Sequence, residues 1–396
     1  MPESVCRGVW WPSALALLWV LGPVACAAGD TSGATGGAGD PVGAPGSGPA
    51  RGAAGAAGSS VDCGAGAGGA PAIPAAAGMG AGAPSDAAAG PIQIVGVADA
   101  GASAEAGPDM GAGATLPAAR GPLLVGYLPN YNGSFASWAK KLSFAKMTHL
   151  NLAFALATSA NQWDLGASDA DVKAIVDAAH AAGVKVLASL GGGGGDQTVI
   201  ARYNDAASVT PLVDNLDAFL AAHNLDGADI DIESPENLGK TFSAFVDRVV
   251  AKLRPEGKLV TAAVAQYLQD SMADATLHEF DFVNVMIYWS LADTMKGATY
   301  YANTKKVPRD LVVLGAGFFG DGGNDEYTYA QIVKADPTAW SKDQATVGGT
   351  TVRYEGTATM KQIADYANGF GGVMIWELTQ DTFDDHSLLK VVQGEL

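Results

Sequence analysis

Cysteine is nearly absent. The chain of 396 residues has three, Cys6, Cys26 and Cys63, and none beyond them. Everything after Cys63 must therefore be held together without disulfides, and Cys63 has no evident partner. Aromatic residues are missing from a second stretch: residues 29–120 contain no Phe, Tyr or Trp, yet hold 24 of the 52 glycines. Basic residues are scarce too, with 23 Lys and Arg against 41 Asp and Glu, a net charge of −18. The first 120 residues carry three bases and eight acids, or −5, which leaves −13 for the remainder. That balance argues against nucleic acid or an anionic membrane surface as partner, and suits a neutral or weakly cationic substrate. The five histidines show no paired metal-ligand spacing and there is no His-Glu-x-x-His, so neither metal nor cofactor is expected. No Gly-x-Ser-x-Gly elbow is present, which removes the usual serine-hydrolase reading.

What is there divides into three parts. Residues 1–28 read as a secretory leader: Arg7 supplies the positive start, Trp10 to Val24 is apolar apart from Ser13, and Pro-Val-Ala-Cys-Ala-Ala follows at 23–28. The apolar run is short for a spanning helix, so no transmembrane span is expected in the mature chain. Cleavage among the small residues at 25–28 would release the protein. Lipidation of Cys26 would tether it, because Val24-Ala25-Cys26 resembles the end of a bacterial lipobox, with Pro23 in place of the usual Leu. A secreted or surface-tethered location is expected either way. Residues 29–120 are rich in Gly, Ala, Pro and Ser and cannot bury enough apolar surface to offset their ordering entropy, which predicts a disordered tether. The apolar island Ile92 to Val97 reads as incidental. Residues 121–396 have ordinary aromatic content and the size of one α/β barrel.

Eight apolar runs in this last part suit buried parallel strands: Leu123–Tyr127, Met147–Ala155, Val184–Ser189, Ala228–Glu233, Lys258–Ala265, Phe282–Tyr288, Leu311–Gly317 and Gly372–Glu377. Amphipathic segments at Asp169–Ala182, Pro211–His223, Lys240–Leu253 and Thr359–Asn368 read as helices. Strand–helix alternation of this kind predicts a (β/α)8 TIM barrel with its chemistry at the C-terminal strand ends.

The run Asp-Gly-Ala-Asp-Ile-Asp-Ile-Glu at 226–233 falls on the fourth strand. Side chains alternate across a strand, so Asp229, Asp231 and Glu233 share one face and Ile230 and Ile232 the other. Close carboxyls cannot all ionise at ordinary pKa, so at least one proton is held to higher pH. A carboxylic acid kept protonated near neutrality can act as a general acid. The bland alternative, a solvated strand face, would call for Lys or Thr among the acids rather than an Ile-rich strand.

Other signals are weaker. Ser189-Leu190-Gly191-Gly192 lacks the Lys-Ser or Lys-Thr of a phosphate loop. Gly315-Ala316-Gly317-Phe318-Phe319-Gly320 matches a dinucleotide fingerprint literally, but two phenylalanines fill the turn and no helix is expected to open there. Asn132-Gly133-Ser134 is a glycosylation sequon, meaningful only in a eukaryotic secretory host. Tyr288-Trp289 and Trp376-Glu377 end the sixth and eighth strands, where a Trp would offer a platform for a sugar ring.

Together these residues resemble glycoside hydrolase family 18, the chitinases and their relatives. Asp226, Asp229, Asp231 and Glu233 match its Asp-x-x-Asp-x-Asp-x-Glu signature, Ser189 to Gly192 its Ser-x-Gly-Gly, and Met286-Ile287-Tyr288 the start of its Met-x-Tyr-Asp. Gly371 to Glu377 resembles the eighth-strand ending, and Val125-Gly126-Tyr127 and Asn151 to Ala155 the first two strands. The resemblance implies a retaining, substrate-assisted mechanism, an exception to the two-carboxylate scheme. It makes Glu233 the general acid and base, Asp231 the orienter of the acetamido group, Asp229 its proton partner, and Tyr288 the holder of the acetamido oxygen. It implies sugar contacts from Trp376, Tyr127, Phe154, Gln266 and Trp289, with Asp226, Ser189, Gly191 and Gly192 in support. Chitin or chito-oligosaccharides are the implied partners, and a monomer is expected.

One position departs from the family pattern: Trp289 stands where an Asp follows the sixth-strand Tyr. About forty residues separate Gly317 from the Thr359 helix, too few for the large α+β insertion domain that deepens some clefts. An open groove and endo-type, non-processive cleavage are therefore expected. Two rivals stand beside a chitinase. One is an endo-β-N-acetylglucosaminidase acting on N-glycans. The other is a non-catalytic sugar-binding protein, against which the intact Glu233 weighs.

Overall fold

The computed structural model describes residues 121–396 apart from 266, 267, 269 and 324. The expected leader, the tether, Cys26 and Gln266 lie outside the described residues. Eight parallel strands form the centre: β1 (Leu123–Pro129), β2 (His149–Ala157), β3 (Lys185–Gly191), β4 (Gly227–Asp231), β5 (Leu259–Ala265), β6 (Val283–Met286), β7 (Val312–Gly317) and β8 (Gly372–Trp376). Each pairs with its neighbours in chain order, and β1 pairs with both β2 and β8, so the sheet closes into a (β/α)8 barrel. All eight strands sit within a few residues of their expected positions. They are nearly continuous apolar runs because both faces are covered, by the barrel interior on one side and helices on the other.

The helices follow local signals. Helix α1 (Asp169–Ala181) starts at Ser168, whose hydroxyl accepts from the Asp171 N–H, and buries Val172, Ile175, Val176 and Ala179. Helix α2 (Asp196–Tyr203) follows the glycine run after β3. Helix α3 (Val209–Ala222) begins two residues before the expected Pro211, which sits in the first turn where its missing N–H has no helical partner. Helix α4 (Lys240–Leu253) buries Phe242, Phe245, Val246, Val249, Val250 and Leu253 along one face. At about 2 kcal/mol for each large apolar side chain taken out of water, that stripe outweighs the helix's bare glycine start. Helix α5 (Leu291–Asn303) starts at Ser290, whose hydroxyl accepts from the Asp293 N–H, and was not among the expected helices.

The segment after β7 does not form a long loop. It folds into a small antiparallel sheet of Phe319–Asp321, Glu326–Thr328, Gln344–Val347 and Thr350–Tyr354, with a short helix at Tyr329–Ala335. Among the described residues this segment holds no large insertion domain, in keeping with its length. Helix α7 (Thr357–Ala367), counting the short helix as α6, leads into β8, and α8 (Leu388–Glu395) closes the chain. Among the described residues no helix is long and apolar enough to cross a membrane.

Candidate active site

The register of the barrel builds the site. Asp229 on β4 lies beside Ser189 on β3 and Thr261 on β5. Parallel neighbours stand about 4.8 Å apart, so three short polar side chains at one level meet inside the barrel. Asp229 is fully buried and accepts four hydrogen bonds. Tyr127 Oη at 2.7 Å and Ser189 Oγ at 2.8 Å donate to Oδ2. Thr261 Oγ1 at 2.7 Å and Asn284 Nδ2 at 3.2 Å donate to Oδ1. Burial raises its pKa above the usual carboxylate range, against the pull of these four donors.

Asp231 is in a harsher place. Burial, then the charges of Glu233, Asp229 and Asp196, hold its carboxyl well above the ordinary value. Its Oδ1 is buried with no hydrogen-bond partner among the described residues. When two adjacent carboxyls share a proton, it settles where the ionised form is least supported. Here that is Asp231, since Asp229 has the donors. Both aspartates of the run are thus held above the ordinary carboxylate range.

Glu233 lies two residues beyond the end of β4, half-buried at the C-terminal mouth. Its backbone N–H donates to Asp196 Oδ2 at 3.2 Å. A Cβ on Gly193 would sit 3.2 Å from Glu233 Oε1, so the glycine loop after β3 leaves the carboxyl its room.

Aromatic rings cover the barrel end. Trp376 stacks on Phe154, centroids 5.6 Å apart at 25°, and meets Tyr127 edge-on at 5.6 Å. Both Ala153–Phe154 and Trp376–Glu377 are cis peptide bonds. Gly192 has φ +77°, and a Cβ there would come within 2.4 Å of the Phe154 ring. Tyr288 packs edge-on to Phe319 at 5.6 Å, and its hydroxyl lies 3.9 Å from Met374 Sδ. Trp289 is 47 % exposed at the same end. Glu377 is buried and accepts from Asn132 Nδ2 at 3.0 Å, so the sequon asparagine is tied to the end of β8.

Tyr127 and Asp226 sit away from the open end of the site. Tyr127 is buried, with its hydroxyl given to Asp229, so it supports the carboxylates from beneath rather than lining the surface. Asp226 sits at the opposite end of β4. It accepts from His180 Nε2 at 2.7 Å, Lys185 Nζ at 2.7 Å and the Val186 N–H at 2.8 Å. Burial pushes Asp226 up, but these bonds outweigh it and hold the carboxyl below its usual range. It braces the base of β4. Three residues of the site went unread in the sequence: Thr261, Asn284 and Asp196. Thr261 and Asn284 are the single polar residues of β5 and β6, a signal that could have marked them. Among the described residues no cluster of His, Cys, Asp and Glu could hold a metal ion.

A barrel with acids at the C-terminal end of β4 and an aromatic floor at β8 defines a class of carbohydrate-active protein. Residues 124–381 match the model of Glycosyl hydrolases family 18. The chain belongs to that family. Among solved structures it is similar to the GH18 chitinase ChiB from the chitin utilization locus of Flavobacterium johnsoniae. The two are 25 % identical with a TM-score of 0.62, over 70 % of this chain and 94 % of that one. The chitinase-like agglutinin RobpsCRA from Robinia pseudoacacia shares the fold at 20 % identity and a TM-score of 0.58, over 68 % of this chain and 98 % of that one. A chitinase-like effector of Moniliophthora perniciosa is 32 % identical over 122 residues, 30 % of this chain and 28 % of that protein. The chain thus spans under a third of that curated relative.

Proposed function

We propose that this protein is a chitinase-like glycosidase that cleaves β-1,4 bonds between N-acetylglucosamine units with retention, assisted by the substrate. The observation that carries this reading is the buried Asp231 Oδ1 with no hydrogen-bond partner among the described residues, beside an Asp229 saturated with donors, one of which, Tyr127, meets Trp376 edge-on. Such an atom suits a substrate N–H arriving on an aromatic floor.

The steps follow from the chemistry of the residues. Glu233 gives its proton to the glycosidic oxygen as the bond to the anomeric carbon breaks. The acetamido carbonyl oxygen of the same sugar attacks that carbon, and an oxazolinium ring forms. Asp231 takes a hydrogen bond from the acetamido N–H and offsets the developing positive charge. Tyr288 holds the acetamido oxygen. Glu233 then removes a proton from water, which attacks the anomeric carbon from the face the leaving group vacated; the bond to the acetamido oxygen breaks and the configuration is retained. Trp289 adds an exposed stacking surface beside this centre. With no large insertion domain after β7, an open groove and endo-type cleavage follow. The leader makes the enzyme secreted, or surface-tethered through Cys26.

A second reading is a sugar-binding protein without turnover, favoured by the agglutinin and effector among the similar proteins. Glu233→Gln separates the two. Turnover of chitohexaose is expected to fall by about 10³-fold or more, with oligomer affinity kept within a few-fold, since shape survives and the proton donor does not. Unchanged turnover would remove Glu233 from the role of acid.

A further inference from the structure

The glycine run after β3 has a use beyond making room for Glu233. Gly191, Gly192 and Gly194 have φ of +104°, +77° and +78°, conformations that side chains resist. A Cβ on Gly191 would lie 2.5 Å from the Asp231 carbonyl oxygen, and one on Gly195 2.5 Å from the Gly191 carbonyl oxygen. Only glycine lets the chain fold back this closely. The return delivers Asp196, the first residue of α2, to a buried position beneath the loop that follows β4.

There Asp196 Oδ2 accepts the Glu233 N–H at 3.2 Å and the Ser234 Oγ–H at 2.7 Å. Gln197 Nε2 adds a bond to Ser234 Oγ at 2.8 Å. Since β4 ends at Asp231, a side-chain bond rather than a sheet ladder holds the Glu233 N–H. A third buried carboxyl, beside Asp229, Asp231 and the half-buried Glu233, is unfavourable by itself, and its charge bears on Asp231. The bonds to 233 and 234 are what it provides in return.

We propose that Asp196 is the positioning residue of the proton donor: it clamps the Glu233–Ser234 backbone so that the Glu233 carboxyl meets the glycosidic oxygen. This rests on the hydrolytic reading of Glu233. A proton donor must lie within hydrogen-bond reach of its acceptor, so a small displacement of its backbone costs rate more than binding.

The test uses the full-length chain with Asp196→Ala, Asp196→Asn and Ser234→Ala. An aryl chitotrioside reports turnover, chitohexaose calorimetry reports binding, and a thermal melt reports folding. Asp196→Ala is expected to lower kcat roughly 30- to 100-fold with KM and affinity within about twofold. Asp196→Asn keeps an acceptor oxygen and should recover at least about tenfold of that loss. Ser234→Ala removes half the clamp and should lower kcat about threefold, which carries the test if Asp196→Ala does not fold. A wild-type kcat in Asp196→Ala, an equal loss of binding, no recovery in Asp196→Asn, or an unchanged Ser234→Ala would each overturn the clamp alone. A wild-type chain that binds chitohexaose without cleaving it would remove the hydrolytic reading, and the clamp with it.

Discussion

Asp229 and Asp231 are two residues apart on one strand, yet their surroundings treat them differently. Four donors converge on Asp229, whereas Asp231 meets mainly burial and negative charge. Hydrogen bonds to a charged group are worth about 1.5–3 kcal/mol each, enough to decide which member of a pair ionises. The acids were legible in the sequence because alternation alone puts them on one face. Of their partners, Tyr127 and Ser189 were named among the site residues, but Thr261, Asn284 and Asp196 were not. Thr261 and Asn284 matter only through barrel register, and Asp196 only because a glycine run folds back; neither is a property of local spacing. Trp289 is the residue whose role is most open to a direct check. If it is a sugar platform, Trp289→Ala should raise KM for chitohexaose about five- to tenfold with little change in kcat, the value of one aromatic stacking contact of about 1 kcal/mol. An unchanged KM would make it a surface residue only.

At the level of elements, the strands were legible and several helices were not. Buried parallel strands announce themselves as short apolar runs, and all eight did. Helix α2 has a glycine start with no side-chain cap, so nothing in the sequence marks its beginning. Helix α5 carries Gly297, where a Cβ would meet the Ile287 side chain at 1.8 Å. Close packing on the barrel overrides propensity there. The small antiparallel strands after β7 are too short to show alternation. The loop after β3 gives the sharpest test at this scale. Gly192→Ala combines a disfavoured φ with a clash against Phe154, which carries Trp376. It is expected to lower Tm by about 4–8 °C, roughly 2 kcal/mol, and kcat/KM at least about tenfold. Gly194→Ala meets nothing within 4 Å and should pay backbone strain alone. Equal effects of the two on kcat/KM would mean that the Phe154 contact does not shape the site.

The whole molecule bears the cost of its acids. A domain of this size is stable by only about 5–15 kcal/mol, so a buried carboxyl with a raised pKa is a measurable burden. The folded pKa of Asp231 lies above the unfolded carboxylate value of ~3.9, so the folded state holds the extra proton between the two. Its contribution to stability is full below ~3.9 and is lost as pH rises through the folded value. Asp231→Asn should therefore abolish most turnover while raising Tm at pH 7 by roughly 2–6 °C, and flatten the decline of Tm with pH. A Tm that falls at pH 7 would mean the carboxyl is better accommodated than its surroundings indicate. The most direct measurement of the function is mass spectrometry of the products released by the full-length chain from chitohexaose and, separately, from a high-mannose glycoprotein, with Glu233→Gln as control. Short chito-oligomers from chitohexaose alone, absent with Glu233→Gln, are the expected result. Released N-glycan, or binding of chitohexaose with no cleavage, would contradict it.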